Sequence, residues 1–126
     1  MGALVVDTSS WVSYFAGRGA AQIDEALVEG RLFLTPVVAA EVLSGTLDAS
    51  QRTDLEDLLS DLPLLGLDLA HWFQVGRLRA ALRAEGLQVS TPDAHVAQCA
   101  LDCRGELLTE DGVFRQIARH TALRLA

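Results

Sequence analysis

Short hydrophobic runs that alternate with helical segments constrain the fold of this chain more than any other sequence feature. The runs occupy residues 3–6, 32–34, 62–67, 106–109 and 122–125, and a helix is predicted from Ala20 to Glu29. Pro63 restricts the third run to a sheet edge or a strand start. Strands that alternate with helices predict an α/β fold, with a parallel sheet covered on both faces. Right-handed crossovers then bring the loops after the strands to one edge of the sheet, where ligands bind in such folds.

Capping residues predict where three of the helices begin. Thr35 and Thr91 are each followed by proline, so they are predicted N-caps with Pro36 and Pro92 as first helical residues. Ser9 or Ser10 is predicted to cap the helix after the first run.

The composition is that of one globular domain, predicted to span residues 1–126. Half of the residues are hydrophobic, which is enough for a core that needs no disulfide. The formal net charge is −7, and every basic residue is arginine. Because this charge repels nucleic acid, a nucleic-acid function requires local arginine clusters or bound cations.

The two cysteines and the apolar stretches predict a cytoplasmic protein without membrane association. Cys99 and Cys103 have i, i+4 spacing and are expected to be small buried thiols in a reducing compartment. No nearby histidine or cysteine pair completes a zinc site with them. No secretory signal is recognisable, and the longest apolar stretch, near residues 32–43, is too short to cross a bilayer and contains Glu41.

Four acidic residues occur in hydrophobic surroundings. Asp7 and Asp111 follow predicted strands, whereas Glu41 and Asp93 lie in apolar helices that begin at or near strand ends. The topology therefore brings all four toward one edge of the sheet. Clustered carboxylates repel one another unless a cation neutralises them, and oxygen ligands suit Mg²⁺. The sequence predicts a metal site at this edge.

Each of these acids also has a simpler structural explanation. Asp7 is suited to cap the following helix, Asp93 to complement a helix dipole, and Asp111 to form an ordinary turn. Glu41 has the weakest alternative, because an acid among apolar helix positions needs a partner. The occurrence of all four together favours the metal site. The other acids that we considered are assigned to solvated helix faces and loops.

Four motifs carry a resemblance to a known family. They are residues 4–9 (LVVDTS), 35–42 (TPVVAAEV), 91–97 (TPDAHVA) and 107–114 (LLTEDGVF). In this order they resemble the motifs of the PIN-domain family, closely so for its toxin branch, the VapC proteins. The resemblance covers essentially the whole chain.

The resemblance implies a three-layer α/β/α fold with a five-stranded parallel sheet. It also implies a toxin of a toxin–antitoxin pair that cleaves RNA with Mg²⁺ or Mn²⁺. A homodimer and inhibition by a cognate antitoxin are further implications of the family.

Our mechanistic hypothesis assigns Asp7 and Asp93 as the main metal ligands. Glu41 and Asp111 bind the metal through water, position the attacking water or complete a second metal position. A metal-activated water would then attack the RNA phosphodiester.

Other polar residues have less specific assignments. Thr8 and Thr109 would donate hydrogen bonds to the carboxylates or the scissile phosphate, or would serve as local caps. Arg79 and Arg83 share a helix face and are either solvated or in contact with phosphates. Structural or exposed roles are expected for the three histidines: His71, His95 and His120.

Several aromatic and aliphatic residues are expected in the core or in an interface. The first group would pack in the core, pack a dimer or receive an antitoxin helix: Trp11, Tyr14 and Phe15. The second group, on the long predicted helix, would form core or dimer contacts: Trp72, Phe73, Leu78 and Leu82.

Two other functions are compatible with the sequence. A non-catalytic PIN-fold module would bind RNA or protein without cutting, but it has no need for four clustered acids. A Mg²⁺-dependent phosphohydrolase often carries a second Asp two residues after its nucleophilic Asp. Here Asp7 is followed by Thr8 and Ser9, which disfavours that activity.

Overall fold

A computed structural model of the chain describes residues 2–19 and 21–126, and these residues contain four strands and seven helices. In chain order the elements are β1 (Leu4–Val6), α1 (Thr8–Phe15), α2 (Ala21–Val28), β2 (Leu32–Phe33), α3 (Pro36–Leu43), α4 (Ala49–Ser60), α5 (Leu69–Ala84), α6 (Thr91–Asp102), β3 (Glu106–Leu108), α7 (Val113–His120) and β4 (Arg124–Leu125). The predicted first residue of the second helix, Ala20, lies outside the described residues.

The strands form one parallel sheet in the order β2-β1-β3-β4. The chain leaves β1 toward β2 on one side and returns to β3 on the other, so the strand order reverses at β1. Right-handed crossovers in opposite directions put helices on opposite faces of the sheet. The α/β fold and the parallel sheet that were predicted are therefore confirmed.

Within residues 2–19 and 21–126 the sheet has four strands, so the prediction of five is wrong in this detail. The run at residues 62–67 makes a single parallel bridge, between Leu34 and Leu64. Leu34 donates a hydrogen bond to the Pro63 carbonyl (2.9 Å), and Leu65 donates one to Leu34 (3.0 Å). Proline has no N–H to extend this pairing, and Gly66 turns the chain away with a φ of +74°.

The core lies between the sheet and its helices. All three residues of β1 are buried, as is Leu107 of β3. A strand without a polar face must be covered on both sides, because leaving either side in water would expose apolar surface. Phe114 and Ile117 of α7 belong to the same core. Among the described residues, no helix is long and apolar enough to span a membrane.

Helix capping explains where α3 and α6 begin. Thr35 caps α3 by accepting a hydrogen bond from Val38 N (3.4 Å), and Pro36 is the first helical residue, as predicted. The same arrangement predicted for Thr91 and Pro92 is wrong by one residue. Ser90 is the N-cap of α6 and accepts from the backbone of the third helical residue (3.2 Å). Proline fits the second helical position too, because that N–H has no partner within the helix.

Helices α5 and α6 pack against each other in opposite directions. His71, near the start of α5, contacts Asp102 at the end of α6. Farther along α5, Arg79 donates a hydrogen bond to the carbonyl of Val89, just before α6 (2.9 Å). The second contact fixes the segment that leads to Asp93.

Candidate functional site

Asp7 lies directly after β1, at the point where the strand order reverses. The residue is 6 % exposed, and its backbone N–H continues the sheet by donating to Leu108 O (2.9 Å). Although Asp7 occupies the N-cap position of α1, its side chain makes no capping hydrogen bond. Oδ2 instead accepts hydrogen bonds from Thr109 Oγ1 (3.0 Å) and Ser9 Oγ (3.2 Å). The capping explanation therefore does not account for this carboxylate.

Burial raises the pKa of Asp7, and the nearby charge of Asp111 raises it further. Hydrogen bonds from Thr109, Thr8 and Ser9 act in the opposite direction without cancelling the effect of burial. The folded protein therefore disfavours the charged form of this side chain, which is the form that a cation would stabilise.

Asp93 lies in the first turn of α6 and is half-buried. Burial raises its pKa, and the charges of Asp111, Asp7 and Glu41 raise it further, while a hydrogen bond from Ser90 lowers it. The structure thus brings the four predicted acids into one electrostatic neighbourhood. We call this group the carboxylate cluster, and its members are Asp7, Glu41, Asp93 and Asp111.

Glu41 is exposed, although its helix is apolar in sequence. The buried face of α3 is formed by Val38 and Val42, so the intervening Glu41 points away from the core. Its Oε1 accepts a hydrogen bond from Thr8 Oγ1 (2.8 Å). The expected partner of this acid is therefore the threonine that follows Asp7.

Asp111 is exposed in the turn between β3 and α7. Its Oδ1 accepts from Val113 N (3.0 Å), and its own N–H donates to Thr109 Oγ1 (3.0 Å). The turn therefore accounts for the hydrogen bond of one of the two Asp111 carboxylate oxygens. The other oxygen has no hydrogen bond among the described residues.

Hydroxyl groups connect the strand ends. Thr8 and Thr109 donate to carboxylates, which is one of the two predicted roles, and Thr109 also fills the local one by accepting from Asp111 N. Ser9 was predicted only as a possible helix cap, but it donates to Asp7, accepts from Glu110 N (3.0 Å) and lies 3.4 Å from Thr109 Oγ1. The spacing of a serine two residues after a strand-end Asp was the available signal for this role.

The carboxylate cluster does not form a tight set of direct metal ligands. Among the described residues, no three of its side chains offer oxygens within 4.8 Å of one another, so a bound cation would keep water ligands. A hard cation such as Mg²⁺ keeps several waters and needs only one or two direct carboxylates. A buried carboxylate with neighbouring negative charges and oxygen-only donors is compatible with this kind of ion.

A second group of possible metal ligands lies elsewhere in the fold. His71 of α5 and His95 and Cys99 of α6 are buried, and one ligand atom from each lies within 4.8 Å of the others. The expectation that no histidine or cysteine pair joins Cys99 is therefore wrong. Helix packing joins residues that are 24 positions apart, which sequence spacing does not reveal. We call this group the histidine–cysteine cluster.

The remaining predicted residues fall into structural and exposed positions. Arg79 is half-buried and bonded to a backbone carbonyl, whereas Arg83 and His120 are exposed.

The predicted aromatic and aliphatic residues differ in burial. Trp11 is in the core, stacked on Phe15 at a centroid distance of 5.5 Å. Tyr14 donates a hydrogen bond to Asp24 (2.6 Å). Leu82 is buried, Leu78 and Trp72 are partly buried, and Phe73 is exposed.

Comparison with known protein families gives a match over most of the chain. The PIN domain family matches residues 4–120. A VapC ribonuclease of Mycobacterium bovis and the ribonuclease VapC11 of Mycobacterium tuberculosis are each 36 % identical over 98 % of this chain and 97 % of their own length. Ribonuclease VapC5 of Mycobacterium tuberculosis is 31 % identical over 87 % of this chain and 84 % of its own.

Solved structures share the fold. VapBC2 from Rickettsia felis, bound to a promoter DNA fragment, contains a chain with a TM-score of 0.77 and 20 % identity, covering 98 % of this chain and 96 % of that one. VapBC-5 from Mycobacterium tuberculosis, a member of the VapBC family of toxin–antitoxin systems, gives a TM-score of 0.67 at 25 % identity. That match covers 99 % of this chain and 98 % of the other.

Proposed function

This chain belongs to the PIN-domain family and, within it, to the VapC ribonucleases, and from that premise we propose that it is a metal-dependent endoribonuclease and the toxin of a toxin–antitoxin pair. It hydrolyses RNA phosphodiester bonds with Mg²⁺ or Mn²⁺ and acts in the cytoplasm. The similarity to VapC ribonucleases supports the ribonuclease activity, and the carboxylate cluster supports the metal dependence.

The observation that carries this proposal is the buried, electrostatically unfavourable carboxylate at the strand-order reversal. Two hydroxyl donors hold the Asp7 carboxylate in place although burial raises its pKa. Burial also raises the pKa of Asp93. A protein that only bound a partner would gain nothing from this arrangement. A bound cation would offset its cost.

In this proposal Asp7 and Asp93 hold the cation, and Glu41 and Asp111 bind it through water or orient the attacking water. When bound, a divalent cation supplies Lewis acidity, which activates water and offsets charge on the phosphate. Thr109 and Ser9 keep the carboxylate of Asp7 in one orientation.

RNA would approach along the edge of the sheet next to Thr109. A cavity of about 330 Å³ lies there, and Arg18, Ser13 and Gln22 are among its lining residues. Glu110 also lines the cavity, and the Arg18 guanidinium would provide the bidentate donor for a phosphate there. The cation and this arginine together reduce the repulsion that a protein with a net charge of −7 exerts on RNA.

We assign the antitoxin to an apolar groove beside α1. The groove has a volume of about 540 Å³ and is lined by Val12 and Phe15 of α1, by Val42 of α3 and by Leu55 and Leu58 of α4. Val12 and Phe15 are exposed although they are hydrophobic. An amphipathic helix of the antitoxin would cover them. The support from relatives is that the similar structures are toxin–antitoxin complexes.

We assign the homodimer contact to a different apolar patch. Leu64, Leu67, Leu69 and Phe73 are exposed within ten consecutive residues, between the β2 edge of the sheet and the start of α5. A patch of this kind on a small acidic protein is typical of a protein–protein interface. A second copy of the chain is our proposed occupant.

RNA cleavage by the purified, antitoxin-free protein tests the function. We expect discrete cleavage of total cellular RNA with Mg²⁺ or Mn²⁺ and none with EDTA. Asp7→Asn and Asp93→Asn should each abolish cleavage while circular dichroism remains unchanged. Asp57→Asn, the same substitution at an exposed position on α4, is the matched control and should cleave normally.

Two results would reject the proposal. Cleavage that persists in both folded variants would mean that the carboxylate cluster is not the active site. Metal-independent RNA binding without cleavage, tested with RNA from the host that carries the chain's own target, would favour a non-catalytic binding module.

A further inference from the structure

The histidine–cysteine cluster gathers three soft or borderline donors in a fully buried position. His71 Nε2 lies 2.7 Å from His95 Nδ1, and Cys99 Sγ lies 3.9 Å from each of these two nitrogens. His95 has no exposed surface, and the other two residues are buried as well. His95 and Cys99 have the i, i+4 spacing of one helix face, while His71 reaches them from α5.

Neighbouring side chains fix the orientation of both imidazole rings. Asp102 Oδ2 accepts a hydrogen bond from His71 Nδ1 (2.9 Å), and Gln98 donates to the other oxygen of Asp102 (2.8 Å). Trp72 stacks on His95 with a centroid distance of 4.5 Å and an interplanar angle of 2°. A carboxylate behind a histidine is the arrangement that orients metal-binding histidines and increases their basicity.

A glycine keeps the space between the donors free. A Cβ on Gly66 would lie 3.0 Å from His71 Nε2, 3.1 Å from Cys99 Sγ and 2.7 Å from His95 Cε1. The Gly66 carbonyl also accepts a hydrogen bond from Trp72 Nε1 (3.1 Å). The loop before α5 therefore covers the cluster with backbone alone.

We propose that His71, His95 and Cys99 bind a thiophilic d¹⁰ cation, with Zn²⁺ as the expected ion, at a site separate from the carboxylate cluster. Imidazole nitrogens and thiolates are donors that Zn²⁺ takes, and a water molecule would complete the four-coordinate site. The ion joins α5 to α6, the helix that carries Asp93. The site therefore stabilises the element on which a proposed catalytic ligand lies.

Coordination requires movements of a few tenths of an ångström. Zn–N bonds of about 2.0 Å and Zn–S bonds of about 2.3 Å in a tetrahedron separate two nitrogens by roughly 3.3 Å and a nitrogen from a sulfur by roughly 3.5 Å. The two nitrogens must therefore move apart from 2.7 Å, and the sulfur must approach from 3.9 Å. Both changes would require rotations of the three side chains that break the hydrogen bond between His71 and His95.

The proton balance follows from the hydrogen-bond network. Without the ion, His71 donates from Nδ1 to Asp102, so its Nε2 accepts the proton that His95 carries on Nδ1. On binding, the metal takes the place of this proton, and His95 carries its proton on Nε2 instead. Cys99 becomes a thiolate and releases one proton to solvent, so each Zn²⁺ bound releases one proton.

Cobalt substitution tests this site by spectroscopy. The purified chain, with Asp7→Asn and Asp93→Asn to remove binding at the carboxylate cluster, is titrated with Co²⁺. We expect a thiolate-to-cobalt charge-transfer band that saturates at one equivalent and disappears when Zn²⁺ is added. Cys99→Ser should eliminate the band, whereas Cys103→Ser, the matched control, should retain it. Absence of the band, or its persistence in Cys99→Ser, would overturn the proposal.

A measurement on the unmodified protein covers the case in which Cys99→Ser fails to fold. Zn²⁺ should raise the Tm of the wild-type chain in a concentration-dependent manner, because it binds the folded state. Calorimetry in buffers of different ionisation enthalpy should give one proton released per ion. A wild-type Tm that Zn²⁺ does not raise would reject the site without reference to any variant.

Discussion

At the scale of single residues, Thr109 connects two members of the carboxylate cluster, Asp7 and Asp111. Its hydroxyl donates to Asp7 Oδ2, accepts from Asp111 N and lies 3.4 Å from Ser9 Oγ. One oxygen atom therefore orients the buried carboxylate and fixes the turn that carries a second acid.

Replacing Thr109 by valine keeps the shape of the side chain and removes this oxygen. We expect Thr109→Val to raise the Mg²⁺ concentration needed for RNA cleavage by about 10–100-fold, as is typical when a group that orients a metal ligand is lost. Thr109→Ser keeps the hydroxyl and should need no more Mg²⁺ than the wild-type protein. Cleavage rates at a series of Mg²⁺ concentrations provide the measurement, and an unchanged Mg²⁺ dependence in Thr109→Val would contradict this role.

The raised pKa of Asp7 leads to a prediction about stability. An acid whose pKa is higher in the folded state than the ordinary aspartate value of 3.8 stabilises the fold only when protonated. That stabilisation is present below pH 3.8 and is lost as the pH rises through the folded-state pKa. At neutral pH the charged carboxylate therefore destabilises the protein when no cation is bound.

Asp7→Asn should accordingly raise the Tm in EDTA at pH 7, since the amide oxygen still accepts from Thr109 and Ser9. It should also remove the increase in Tm that Mg²⁺ gives to the wild-type protein. Asp57→Asn should change neither value. If Asp7→Asn lowered the Tm in EDTA, the hydrogen bonds to the carboxylate would outweigh its burial.

At the scale of secondary-structure elements, the loop between the Leu34–Leu64 bridge and α5 is under steric constraint at Gly66. This residue has a φ of +74°, and a Cβ would approach three side chains of the histidine–cysteine cluster. Gly86 has a similar φ of +82°, but a Cβ there would meet nothing within 4 Å. Comparing alanine substitutions at these two positions therefore separates the free-energy cost of the backbone conformation from that of crowding.

We expect Gly86→Ala to lower the free energy of unfolding by about 1 kcal/mol, through its left-handed conformation alone. Gly66→Ala should cost roughly 1–3 kcal/mol more, because the added methyl group overpacks a buried site. Denaturant unfolding of both variants measures the difference. Equal losses in the two variants would mean that the loop moves freely away from the cluster.

Elements with local signals were predictable from the sequence. Thr35 and Pro36 fixed the start of α3, and the position of Asp7 after a hydrophobic strand predicted its place at the sheet edge. The cap of α6 was ambiguous because Ser90 and Thr91 are adjacent and both accept hydrogen bonds well. The choice depends on backbone angles that the residue types do not determine.

Contacts between distant residues were not predictable in the same way. Residues 62–67 form a hydrophobic run that predicts a strand, yet Pro63 and Gly66 limit it to one bridge. His71 meets His95 and Asp102 only because α5 and α6 pack in opposite directions, over separations of 24 and 31 residues. Spacing along a single sequence carries no signal for such pairs.

At the scale of the whole molecule, the exposed apolar patch around Phe73 predicts a homodimer. Phe73 is 57 % exposed and lies among the exposed side chains of Leu64, Leu67 and Leu69. Phe73→Asp should shift the wild-type dimer to a monomer in sedimentation analysis, because a charge in an apolar interface is costly to desolvate. Val28→Asp is the control, because Val28 is 87 % exposed and outside this patch. A wild-type monomer, or a dimer that survives Phe73→Asp, would contradict the assignment.

The central claim is that four carboxylates from separate parts of the chain form one divalent-cation site, and Mn²⁺ binding followed by electron paramagnetic resonance tests it most directly. We predict saturable Mn²⁺ binding to the wild-type chain that is lost in Asp7→Asn and in Asp93→Asn. The same binding should remain in Asp57→Asn and in Cys99→Ser. Mn²⁺ binding of wild-type affinity in both cluster variants would show that the ion binds elsewhere and would contradict the claim.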